Sequence, residues 1–145
     1  MSDDATLARW LADRAAIRDV VHAYATAVDR KDWAAVRACF TPDATCDYMW
    51  FSGDLATVLE RIEQGLAPFV STMHLVGNHL AEVTGDAATA ETYTLCHHRH
   101  RTADGLADRV VGLRYVDAFV RTADGWRIRR RDVAVDWQRL DPVTP

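Results

Sequence analysis

The chain has 145 residues, 49% of them hydrophobic and 26% charged, with a formal net charge of −4. That make-up predicts one globular domain spanning residues 1–145 with room for a sizeable core, and it argues against disorder and against a nucleic-acid or anionic-membrane partner. No apolar run approaches the ~18 residues of a membrane span, and MSDDATLARW lacks a basic segment followed by an apolar one, so the sequence predicts a cytoplasmic protein. Cys39, Cys46 and Cys96 are odd in number and dispersed, which fits reduced core thiols better than a disulfide framework.

The first half reads as helical with one short strand. Leu7, Trp10, Leu11, Ile17, Val20, Val21, Tyr24 and Val28 recur at three- and four-residue steps, predicting an amphipathic helix over about residues 6 to 29. Asp32 is placed to cap a short second helix in WAAVRACF, which Thr41-Pro42-Asp43 should break. ATCDYMWF is rich in β-formers and predicts a strand over about 44 to 50. A third helix, about 54 to 67, starts near Asp54, carries Leu55, Val58, Leu59, Ile62 and Leu66, and ends before Pro68.

From about residue 72 the hydrophobic period changes to two. Four strands, about 72 to 83, 87 to 100, 108 to 121 and 126 to 138, are separated by Gly85-Asp86, Asp104-Gly105 and Asp124-Gly125, the signature of an antiparallel meander. RTADG occurs at 101–105 and again at 121–125, but the residues that follow diverge, so repeated use of good turn chemistry explains it better than duplication. Helices first and a meander afterwards define an α+β domain in which a curved sheet wraps the long helix.

Polar residues that interrupt apolar patterns mark the candidate site. Asp29 ends the first helix and His74 begins a strand-like run, and a carboxylate and an imidazole that meet inside a cavity make an oriented base. The competing assignment is a helix-end carboxylate and a hydrogen-bonded core histidine. On the last strand Trp126 and Ile128 share one parity, whereas Val133, Val135 and Trp137 share the other. A bulge or sharp twist between Arg129 and Val133 would reconcile them and re-aim an arginine. His97, His98 and His100 invite a metal reading, yet no metal-ligand spacing accompanies them, so no metal site is expected. Gly-rich phosphate loops, nucleophile elbows and Cys-x-x-Cys pairs are also missing, which favours cofactor-independent chemistry.

The segments YATAVDRKDWAAVRACFTPDA, STMHLVGNHLAEVTGDAATAETY and GLRYVDAFVRTADGWRIRRRDVAVDW, together most of the chain, resemble the SnoaL-like branch of the nuclear transport factor 2-like superfamily. The resemblance implies a cone-shaped α+β barrel, with the N-terminal helices packed in the concave face of a curved, mostly antiparallel sheet and a deep pocket between them. Members include polyketide cyclases, scytalone dehydratase, hexachlorocyclohexane dehydrochlorinase, bile-acid dehydratase and ketosteroid isomerase. Asp29 and His74 match the dyad of the dehydratase and dehydrochlorinase members. Tyr24 and Tyr48 match tyrosines of the bile-acid and scytalone dehydratase patterns, and His98 is similar to a second pocket histidine of the latter. Arg131 matches a late-strand arginine that contacts a leaving group or carboxylate, with Arg129 as the alternative of equal parity. The last two strands offer no asparagine to match the one that binds scytalone, so scytalone is not the expected substrate.

The implied function is a cofactor-independent lyase, of dehydratase or elimination type, or an isomerase, acting on a small apolar polyketide-, steroid- or terpenoid-like molecule. The alternative is a non-catalytic domain whose pocket holds an apolar ligand. The resemblance also implies a homodimer in which a second copy covers the outer sheet face, where Val110, Val116, Ala118 and Val120 are expected. An Arg131 facing water or Asp29 in an empty pocket should be replaceable by methionine with little change in the fold.

Overall fold

The computed structural model describes residues 3–143. Helix α1 runs Asp3–Asp29, α2 Trp33–Ala38 and α3 Leu55–Leu66, and the strands are β1 Phe40–Asp47, β2 Ser52–Asp54, β3 Ser71–Thr84, β4 Ala87–Thr102, β5 Gly105–Thr122 and β6 Gly125–Val143. No described helix is long and apolar enough to cross a membrane.

Local chemistry accounts for the starts of the two short helices. The Asp32 carboxylate accepts from the Ala35 amide at 3.0 Å and the Asp54 carboxylate from the Thr57 amide at 2.8 Å. Each satisfies an orphan amide of a first turn, an effect of about 1 kcal/mol. The long helix buries Ile17, Val21, Tyr24 and Val28, as its spacing predicts. Leu7, Trp10 and Leu11, expected on the same stripe, are exposed instead. The buried face begins at Asp13, which accepts two hydrogen bonds from Arg121, both at 2.7 Å, and a third from the Trp126 indole at 3.1 Å.

The six strands form one mixed sheet in the order β2-β1-β6-β5-β4-β3. Among the described residues only the β1–β6 pairing is parallel. Because β2 and β3 are free edges, the sheet is open, and the expected barrel does not close. The four long strands lie where the period-two pattern puts them. The hairpin between β3 and β4 turns at Gly85, whose φ of 61° is a conformation that costs glycine little.

Two differences concern the region before them. The second helix ends at Ala38, before Thr41-Pro42-Asp43 as expected, but those three residues lie inside β1. They are tolerated because the β1–β6 ladder is irregular between Phe40 and Thr45, so Pro42 falls where no regular pairing is required of it. The strand also ends earlier than expected, at Asp47, before a turn at Tyr48–Phe51 that leads into the three-residue β2, an element too short to register as a pattern.

The last strand has two bulges. Ile128 pairs with Phe119 and Arg130 with Ala118, which leaves Arg129 as an extra residue; Val135 pairs with Leu113 and Trp137 with Gly112, which leaves Asp136 as another. The first bulge reverses the inward phase, as the sequence requires, so that Arg131 and Val133 follow Ile128 into the interior. The second reverses it back. Trp137, expected to share a face with Val133 and Val135, therefore lies on the outer face across Gly112.

Candidate active site

Between the concave sheet face, the end of α1 and the C-terminal half of α3 lies a cavity of ≈ 380 Å³. Val28, Ile62, Leu66, Val111 and Leu113 supply much of its apolar wall, and Tyr24, Tyr48, His74 and His98 supply polar groups. Its size falls in the ordinary range for small-molecule sites, ~300–1,000 Å³.

Asp29 and His74 meet at the end of α1. The Asp29 Oδ1 lies 2.7 Å from His74 Nδ1, while Oδ2 accepts from the His74 backbone amide at 2.8 Å and the Thr72 hydroxyl donates to Oδ1 at 2.9 Å. Three contacts from one strand fix the carboxylate. The His74 side chain is only 7% exposed and that of Asp29 23%. Burial raises the carboxyl pKa of Asp29, yet the hydrogen bonds and charge of His74 hold it below the ordinary 3.8. Burial likewise lowers the imidazole pKa of His74, but Asp29 and the neighbouring Cys96 thiol outweigh it and push the pKa up to about 9. With Nδ1 committed to the carboxylate, Nε2 is the nitrogen left for chemistry.

The helical geometry of Tyr24 and Asp29, five residues apart and so about 140° apart around an ideal helix, is resolved by their different targets. Tyr24 lines the cavity directly, whereas Asp29 stands behind His74 and does not line it. The Tyr24 and Tyr48 hydroxyls are 2.8 Å apart. One donates to the other, which leaves the second proton available to a ligand. Burial raises both phenol pKa values, that of Tyr48 well above 10, so both groups stay protonated as donors. Tyr48 lies just beyond β1 rather than on it.

His98 lies beside His74, with ring centroids 5.7 Å apart and nearly perpendicular. Burial, the His74 charge and Arg109 lower its pKa to about 4, so it is neutral, and its Nδ1 is shielded with no partner in the structure. Strand alternation places His97 on the other side of the sheet.

Arg131 points inward but does not line the cavity. Its guanidinium carbon lies 4.2 Å from the Tyr24 ring centroid and 3.9 Å from that of Tyr115, so the two rings stand between it and the ligand space. It faces neither water nor Asp29. Its partner is Asp117, through Nε–Oδ1 at 2.8 Å and Nη2–Oδ2 at 2.7 Å. Asp117 escaped the sequence reading although a signal was present: with Tyr115 and Phe119 it forms an alternating set in YVDAF, and so stands as a lone carboxylate on an inward face. Cys96, directly across the strand pair from His74, and the cavity-lining Arg61 and Arg109 were likewise not singled out.

Comparison with known proteins supports the architecture. Residues 9–132 match the model of the SnoaL-like domain. The uncharacterized protein Rv2910c of Mycobacterium tuberculosis is 35% identical over 135 residues, covering 90% of each chain. The Kfla4162 protein from Kribbella flavida superimposes with a TM-score of 0.81 at 25% identity, over 88% of this chain and 93% of its own. The hexachlorocyclohexane dehydrochlorinase LinA-type3 from Novosphingobium barchaimii superimposes with a TM-score of 0.76 at 17% identity, over 93% of this chain and 97% of its own, a likeness of fold alone. With most of its length matched, and with the open α+β cone that these structures share, the chain belongs to the SnoaL-like domain family.

Proposed function

We propose that the protein is a cofactor-independent lyase of dehydratase type, or an isomerase, which removes a carbon-bound proton from a small, largely apolar substrate. The observation that carries this reading is the 2.7 Å contact between Asp29 Oδ1 and His74 Nδ1 at the wall of an apolar cavity. Asp29 fixes the tautomer of His74 and stabilises the imidazolium that forms when Nε2 takes the proton. A carbonyl next to the carbon acid would place its oxygen at the Tyr24–Tyr48 pair, whose free hydroxyl proton stabilises the enolate. In the elimination branch the enolate re-forms its carbonyl as the β-carbon–oxygen bond breaks, and the proton held by His74 passes to the departing hydroxide to give water. In the isomerisation branch the same proton returns to another carbon. The polyketide-, steroid- or terpenoid-like class fits a cavity with apolar walls and few polar groups.

Proton abstraction can be tested before the full substrate is known. A panel of bicyclic β-hydroxy ketones, followed by NMR in deuterated water, should exchange the hydrogen α to the carbonyl faster with the wild-type protein than with His74→Ala. Equal exchange by the two proteins would remove the dyad from the chemistry. Binding without exchange by the wild type would favour the reading of this fold as a ligand-holding domain.

A further inference from the structure

The mouth of the cavity is basic. Arg61 on the exposed side of α3 and Arg109 on β5 both line the cavity, with Trp50 beside Arg109 at 5.9 Å from guanidinium carbon to ring centroid. Arg109 also lines an adjoining surface hollow together with His100 and Arg101. Among the described residues no Asp or Glu lines either space, although the chain carries 21 acidic residues against 17 lysines and arginines.

Neither cavity arginine is neutralised. Arg61 forms no ion pair or side-chain hydrogen bond among the described residues, and Arg109 donates only to the neutral Gln138 amide oxygen, at 3.0 Å. The contrast with the rest of β5 is informative. Arg114 and Arg121 on that strand each engage two carboxylates. His98 is the cross-strand neighbour of Arg109, so β3, β4 and β5 present His74, His98 and Arg109 in succession. A ligand with its carbon acid at His74 and its body along His98 therefore ends at the arginines.

We propose that Arg61 and Arg109 form an anion site at the cavity mouth, so that the substrate is an apolar body ending in a carboxylate. This rests on the substrate-pocket reading above and adds the identity of the distal group. A planar guanidinium presents a fork of donors that matches a carboxylate, and the partly shielded mouth strengthens the contact relative to bulk water.

Calorimetric titration with 2-naphthylacetate and with neutral 2-naphthylacetamide tests the site without requiring turnover. The wild type should bind the acid about tenfold more tightly than the amide, or better, and the preference should weaken with salt. Arg61→Met and Arg109→Met should each reduce it, and the double variant should abolish it. His74→Ala should keep the preference, because the acid sits at the other end of the cavity. Loss of the preference in His74→Ala with retention in the double arginine variant would place the anion at the dyad and overturn the proposal. It would also fail if the wild type bound acid and amide equally, bound neither at millimolar concentration, or preferred 2-naphthyl phosphate to the acid. Since none of these titrations requires proton abstraction, failure of the anion site is distinguishable from failure of the catalytic reading, which the exchange experiment decides.

Discussion

Arg131 and Asp117 form a doubly hydrogen-bonded ion pair in which both side chains are 0% exposed, directly behind the tyrosines of the cavity. The Arg131 guanidinium packs against those rings and does not line the cavity. Arg131→Met would strand a carboxylate in the interior and should destabilise the fold by about 3–5 kcal/mol. This reverses the expectation drawn from sequence, which had the arginine facing a pocket. The double variant Arg131→Met with Asp117→Leu should recover much of the loss, and chemical denaturation of the two single variants and the double variant measures the coupling.

For the dyad, His74→Ala should fold normally and lower turnover by about two to four orders of magnitude. Asp29→Asn should also slow the reaction, because the amide neither holds the imidazole in its required tautomer nor stabilises its charge. Full activity in either folded variant would contradict the assigned role.

The pH dependence follows from the pKa of about 9 that Asp29 and Cys96 impose on His74 against the effect of burial. A base must be neutral to accept a proton, so kcat/KM should rise with pH and level off near 9. Bound apolar substrate removes water from the charged imidazole, so the corresponding limb in kcat should lie at lower pH. Asp29→Asn should move both limbs down. The stability consequence has the opposite sign: a pKa raised from 6.5 to about 9 gives a contribution fully present below pH 6.5 and lost as pH rises through 9. Thermal melts of wild type and His74→Ala should therefore converge in alkaline solution.

The outer sheet face leads to a prediction about assembly. Met73, Leu75, Tyr93, Leu95, Val116 and Trp137 are exposed there, whereas Val110, expected among them, is buried and Ala118 and Val120 are half-buried. An apolar area spread over four strands calls for a cover, and a second copy of the chain is the proposed one. Sedimentation should give about twice the 16.3 kDa chain mass, and Leu95→Glu should halve it. A wild-type monomer at micromolar concentration would exclude this homodimer.

Period and punctuation made most of the fold readable. The meander follows from alternation between Asp-Gly and Gly-Asp turns, and the helices from their apolar steps and aspartate caps. What escaped was decided by distant contacts. The overhang of Leu7, Trp10 and Leu11 depends on where the sheet stops, and the tolerance of Pro42 depends on an irregular parallel pairing with a strand some 90 residues later. Asp29 and His74 stood out as breaks in apolar patterns, but the expectation that they pair came from the family resemblance. The seclusion of Arg131 was not foreseeable, because it required knowing that Tyr24 and Tyr115 occupy the space in front of it.

The two bulges of β6 also determine where this strand can lose length. Arg129 and Asp136 have no opposite number on β5, so removing either would join residues whose pairings are already consecutive on that strand: Phe119 with Ala118, or Gly112 with Leu113. Every inward-facing side chain would keep its neighbour, at the expense of local twist. Removal of Arg130 instead would ask Arg129 to take its place opposite Ala118, which the existing slack permits. Removal of Val133 or Ala134 has no adjacent slack and must shift the ladder until a bulge absorbs it, disturbing the backing of Tyr115. Single-residue deletions along β6 should therefore divide into tolerated and destructive sets according to their distance from these two positions, independently of how hydrophobic the deleted residue is.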